Sequence, residues 1–188
     1  MAARVEAAPR AYWAKCAAAG FAGGVVMALY LMVTSAAEGK GLWMPVNTIG
    51  ATIPAFRPPS FDISPAPGFV AGPSITGLVI HLIVSTLWGM FYGMVVGAFV
   101  PRRVRSFAWE TLYGFGFGCM LWVFSGLLFT RLINPTMVNN LAGSPHYFIG
   151  HVLYALVTAW LIAGITTRRE VVITFLPESR EARELTRR

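Results

Sequence analysis

Polar and apolar positions in this chain segregate over lengths of whole helices. Residues 16–37, 74–100, 108–132 and 145–167 are almost entirely apolar, and charged or turn-forming residues gather between them. An α-helix rises about 1.5 Å per residue, so roughly 20 residues cross a hydrocarbon core of about 30 Å. Each stretch reaches that length. The pattern predicts an all-α fold, a four-helix transmembrane bundle in a lipid bilayer. The first stretch has a competing reading as a secretory signal, because Thr34-Ser35-Ala36 resembles a small-residue cleavage site. Its apolar run exceeds the roughly 7–15 residues of a signal core, which favours a retained helix.

The segments between the spans differ in kind. Residues 1–15 form a short basic arm, with Tyr12 and Trp13 placed where aromatic rings meet lipid headgroups. Residues 38–73 hold Pro45, Pro54, Pro58, Pro59, Pro65, Pro67 and Pro73, so no regular helix is expected to run through them. The same loop is rich in Trp, Phe, Ile and Leu. Disordered linkers are poor in such residues, so it is expected to pack on the bundle's outer end, the membrane interface or a partner. The third connection, residues 133–144, carries turn signals at Asn134-Pro135 and Asn139-Asn140. Arg168 and Arg169 end the last span, and residues 168–188 form a tail in which Pro177 opens a short solvated helix.

Charge adds the orientation. Only 12% of the residues are charged, against roughly 25% in a soluble domain, and the net charge is +7. Most of the arginines lie in the N-terminal arm, at Arg102, Arg103 and Arg105, and in the tail, whereas Lys40 and Arg57 of the first loop are balanced by Glu38 and Asp62. Cytoplasmic segments of membrane proteins carry that excess, so both termini are expected in the cytoplasm. The basic balance flanks membrane helices and makes no separate basic face, which argues against nucleic-acid binding. Cys16 and Cys119 sit inside apolar helices with no CxxC or Cys/His zinc spacing, so neither a disulfide framework nor a metal site is indicated.

Glycines give the clearest packing signal. Gly89, Gly93 and Gly97 recur every four residues, as do Gly20 and Gly24, and Gly114 and Gly118. Small residues at that spacing let two helix backbones approach closely. The motif Gly-Phe-x-x-Gly opens both the first and third spans, at Gly20 and Gly114, and His81 and His151 lie at similar depths in the second and fourth. The chain therefore reads as two tandem hairpins, with chance likeness between apolar helices as the alternative.

His81 and His151 are the candidate chemical residues. Intramembrane histidines are uncommon and tend to face a bundle interior. Two imidazoles at one depth could hold a b-type haem, relay protons or bond a quinone, since the ring both donates and accepts. The plainer reading gives each a hydroxyl or carbonyl partner on a neighbouring helix, with Ser85, Ser125, Tyr154 and Thr158 within range. His146 is expected at the interface. Glu110, at the start of the third span, is expected to pair with the arginines at 102–105. No paired carboxylates, GxSxG, HExxH or phosphate loop is present, so no catalytic residue is assigned.

At His81-x3-Ser85 with Tyr92-Gly93, then Asn134-Pro135, then Gly150-His151, the chain resembles the YagU-type family of small bacterial inner-membrane proteins. The resemblance covers the second to fourth spans, and the first loop departs from it. It implies a multi-pass protein of the bacterial cytoplasmic membrane, linked to acid tolerance and without an established catalytic mechanism. Three functions fit the residues. The first is a non-catalytic accessory or assembly subunit that packs against other membrane subunits. The second is a small haem or quinone-associated protein using His81 and His151. The third is an oligomeric channel or transporter, whose pore would need a polar stripe from Ser85, Thr86, Ser125, Thr130 and Thr158.

Overall fold

The computed structural model describes residues 8–56, 68–99, 106–135 and 137–175. Its helices are α1 (Ala8–Ala37), α2 (Met44–Gly50), α3 (Ala71–Phe99), α4 (Phe107–Leu132) and α5 (Pro145–Phe175). Within α4, residues Phe124–Phe129 are π-helical, and a second π-helical turn, Val138–Ala142, precedes α5. The stretches Tyr12–Ala37, Ala71–Val96, Phe107–Leu132 and Pro145–Gly164 are long and apolar enough to cross a membrane. The protein is a polytopic, all-α four-helix bundle, as the hydropathy pattern predicts.

Three boundaries differ from expectation. The N-terminal arm is already helical from Ala8, with Pro9 in the first turn, where its missing N–H is no loss. Helix α5 runs past Arg168 and Arg169 to Phe175, because charge ends a membrane span without ending a helix. The proline-rich loop does contain a helix. Pro45 occupies the first turn of α2, again a position without an intrahelical N–H bond to lose. Gly39, at φ +74°, takes the left-handed conformation that lets α1 stop and the chain turn back. The tail from Pro177, the arginines at 102–105 and the prolines from 58 to 67 lie outside the described residues.

The long helices are arranged in the order α3, α1, α5, α4. Helix α1 is central, packing on α3 through one face and on α5 through another, and α5 packs on α4. Glycine makes these approaches possible. A Cβ on Gly20 would lie 2.7 Å from the Cα of Gly89, so α1 and α3 cross with backbones touching. A Cβ on Gly118 would lie 2.8 Å from the Cα of Val152, which joins α4 to α5 in the same way. The opposite face of α1 uses Gly23, whose Cβ would meet the Tyr154 carbonyl at 2.7 Å. Apolar burial between helices drives little in lipid, so this close packing carries much of the association.

Helix α2 covers the end of the bundle where the two longer connections lie. Gly77 of α3 has no room for a Cβ beneath the Val46 carbonyl, which lets α2 lie directly on α3. Ser74 Oγ donates to Asn47 Oδ1 at 2.6 Å. Asn134 Nδ2 donates to the Thr48 carbonyl at 2.8 Å and to Thr52 Oγ1 at 2.9 Å, binding the later connection to the earlier one. The described part of the apolar loop thus packs on the bundle end.

Candidate functional site

Helices α3 and α4 are the two outer members of the row, and their backbones scarcely approach one another. Toward the termini they are bridged by aromatic rings. Tyr92 packs on Phe117 with centroids 5.0 Å apart, and Trp88 meets Phe124 edge-on at 5.4 Å. Above this bridge, toward α2, the gap remains open as a cavity of about 110 Å³. Its wall is mostly apolar, with Met27 and Leu31 from α1, Trp88 from α3 and Leu121, Phe124 and Phe129 from α4.

Both candidate histidines line this one cavity. His81, Ser85 and Trp88 are spaced by four and three residues on α3 and so share its inner face. Tyr147, His151 and Tyr154 do the same on α5. The depth match inferred from the sequence therefore corresponds to a shared space. His81 Nε2 bonds the Gly24 carbonyl of α1 at 2.9 Å, which is the neighbouring-helix partner expected. His151 Nδ1 bonds the Tyr147 carbonyl at 2.7 Å, one turn back in its own helix. Its ring also stands edge-on to Tyr147, with centroids 4.5 Å apart.

The hydroxyls around the rings tie helices together. Tyr154 donates to the Ser85 carbonyl at 2.6 Å, linking α5 to α3 beneath the cavity. Ser125 and Tyr147 share a short hydrogen bond between α4 and α5. Ser125 lies in the π-helical turn, where one extra residue per turn shifts the register. That turn supplies Phe124, Ser125 and Phe129 to the cavity wall. Single π-helical turns inside α-helices recur at functional sites, and here the irregularity coincides with the cavity. Its sequence, Phe124-Ser-Gly-Leu-Leu-Phe129, has no feature that marks it, so sequence reasoning passed over it.

The other expected roles fare differently. Thr86, Thr130 and Thr158 each donate to the carbonyl four residues earlier in their own helices, and Thr158 also lies 3.5 Å from the Ala19 carbonyl of α1. A porphyrin is far larger than the cavity, and His81 Nε2 is engaged by Gly24, so a b-type haem would require both to rearrange. Glu110 is buried and accepts from Tyr92 Oη at 3.2 Å. Cys16 is buried against Gly93, and Cys119 is half-buried.

A second polar group lies at the α2 end of the bundle. His146 Nδ1 bonds Tyr30 Oη at 2.8 Å, its Nε2 lies 3.3 Å from Glu38, and Glu38 pairs with Lys40 at 2.7 Å. The hydrogen bond from Lys40 holds the Glu38 carboxyl below the usual carboxylate range, aided by the charges of Lys40 and His146 and opposed by partial burial. His146 stands in the first turn of α5 and has an acidic partner that spacing could not indicate.

Comparison with protein-family models, with curated proteins and with solved structures gave no match to this chain.

Proposed function

We propose that this is a non-catalytic bacterial inner-membrane protein, with both termini cytoplasmic, that binds a small lipid-soluble molecule between its two helical hairpins. The observation carrying this reading is the aromatic cavity between α3 and α4, where the two hairpins part and whose wall His81 and His151 both line. Ligand sites are concave, largely apolar and furnished with a few convergent polar groups. A dry apolar cavity of about 150 Å³ binds benzene, and this one, at about 110 Å³, is of the same order and limits an occupant to a single small ring. The YagU-type resemblance supports the membrane and the topology, and it draws attention to the same two histidines.

The test uses the full chain in detergent with 4-ethyltoluene, a small apolar ring without polar groups. Ligand binding to the folded state raises the unfolding temperature, and above the dissociation constant the rise grows with the logarithm of ligand concentration. We expect a rise of that form for the native sequence. We expect none for Ile80→Trp, which fills the cavity from a half-buried wall position. The same rise in both proteins would reflect partition into the detergent and would overturn the reading.

An accessory role beside other membrane subunits is the second reading, and α4 supports it. Only 17% of that span is buried, against 33–44% of the other three. Its Gly116 has open space where a Cβ would stand. Extraction in mild detergent with a tagged chain tests this: stoichiometric co-purifying subunits, lost on Gly116→Ile, are expected if α4 docks a partner.

A further inference from the structure

The two cavity histidines are each committed on one side. A carbonyl oxygen only accepts, so the ring nitrogen facing it carries the proton. That nitrogen is Nε2 in His81, against Gly24, and Nδ1 in His151, against Tyr147. A neutral imidazole has one donor and one acceptor nitrogen. His81 is left with Nδ1 and His151 with Nε2, both acceptors, and neither ring makes another hydrogen bond with the described residues. A second donor on either ring would mean a positive charge at membrane depth, which is strongly unfavourable. The Ser85 hydroxyl and the Ser125–Tyr147 pair can donate as well as accept. A ligand that only accepts could therefore be met by a hydroxyl, but it would leave both imidazole lone pairs unanswered. A ligand hydroxyl answers an imidazole and can accept from serine at once.

We infer that the cavity selects ligands of the phenol class: a single aromatic ring bearing a hydroxyl that donates to His81 Nδ1 or His151 Nε2. This rests on the ligand-binding reading above. The ring is matched by Trp88, Phe124 and Phe129 on the wall, since aromatic pairs gain from edge-on or offset packing beyond simple burial. The hydroxyl is matched by the two acceptors. The expectation that the histidines could bond a quinone oxygen is thereby narrowed: a quinone offers only acceptors, and its reduced hydroquinone form offers donors. The same chemistry is available from free phenols and from the hydroquinone head groups of lipid-soluble carriers.

The experiment measures dissociation constants by calorimetry on the full chain in detergent, corrected for partition into micelles. The probes are 4-ethylphenol, its methyl ether 4-ethylanisole, and a short-tailed benzoquinol with its benzoquinone. The phenol is expected to bind about tenfold more tightly than the ether, the size of one net hydrogen bond with an otherwise unsatisfied group. His151→Asn keeps a donor for the Tyr147 carbonyl and removes Nε2. His81→Phe keeps the volume and removes Nδ1. At least one of these is expected to weaken the phenol several-fold while leaving the ether unchanged. Equal affinities for phenol and ether overturn this inference and leave the cavity reading standing. Parallel loss of both ligands in both variants overturns it too, because it makes the histidines merely structural. Failure of both the phenol and the ether to bind overturns both readings and leaves water as the occupant. Tighter binding of the benzoquinol than of ethylphenol identifies a membrane carrier as the source, and the reverse identifies a free phenol; preference for the benzoquinone over the benzoquinol overturns the donor rule.

Discussion

At the residue scale, buried polar side chains hold the end of the bundle together. Asn134 is wholly buried and spans two connections through Thr48 and Thr52. Asn134→Ala would leave the Thr48 carbonyl and Thr52 hydroxyl without that donor, a loss of about 1–3 kcal/mol. It should appear as a lowered unfolding midpoint and faster amide exchange in α2, with α5 unchanged. Glu38 acts differently because it is exposed to solvent. Its carboxyl is held below the usual carboxylate range in the folded protein, so the contribution of its ion pair is present above that range. It is lost as pH falls through the depressed folded value. Stability of the native chain should therefore decline below about pH 4 more steeply than that of Glu38→Gln. Parallel pH profiles would mean that the Lys40–Glu38 contact does not persist in solution.

At the element scale, each hairpin is held by glycines that allow backbone contact, and the outward glycines are unconstrained. Gly89 faces Gly20 with no space for a side chain, whereas Gly116 faces open space. Gly89→Ile should destabilise the bundle by about 2 kcal/mol or more, since the backbone of α1 would have to move. Gly116→Ile should stay within about 0.5 kcal/mol in the isolated chain. Thermal unfolding in detergent checks both. Helix α4 differs from the others in that its regular winding breaks at Phe124–Phe129, beside the cavity. Deleting one residue from that turn to restore α-helical winding should remove Ser125 from Tyr147, and with it ligand binding, before it abolishes folding.

At the scale of the whole molecule, the tandem-hairpin pattern is visible in the packing, and so is its break. Gly20 and Gly24 meet α3, and Gly114 and Gly118 meet α5, so each glycine pair packs the outgoing helix on its returning partner. The central contact between α1 and α5 has no counterpart between α4 and α3, and the cavity occupies that place. Orientation is testable in cells. With Cys16 and Cys119 replaced by Ala, a cysteine at Ser144 should react with a membrane-impermeant maleimide from outside, and one at Arg4 should not. The opposite result would reverse the expected topology.

Hydropathy alone was enough to determine the four spans, because a membrane helix must satisfy its backbone internally and needs about 20 apolar residues to do so. Glycine spacing likewise marked the helix faces that pack, since only a missing side chain allows that approach. The depth of His81 and His151 was legible as well, because rise per residue is constant. What pairs with what was not. Periodicity along one helix carries no information about its neighbours, so the central place of α1, the second glycine face at Gly23 and the Glu38–His146 contact came only from the fold. The cavity is the clearest case. It exists because α3 and α4 fail to meet and because a π-helical turn realigns Ser125, and both depend on how four helices share space.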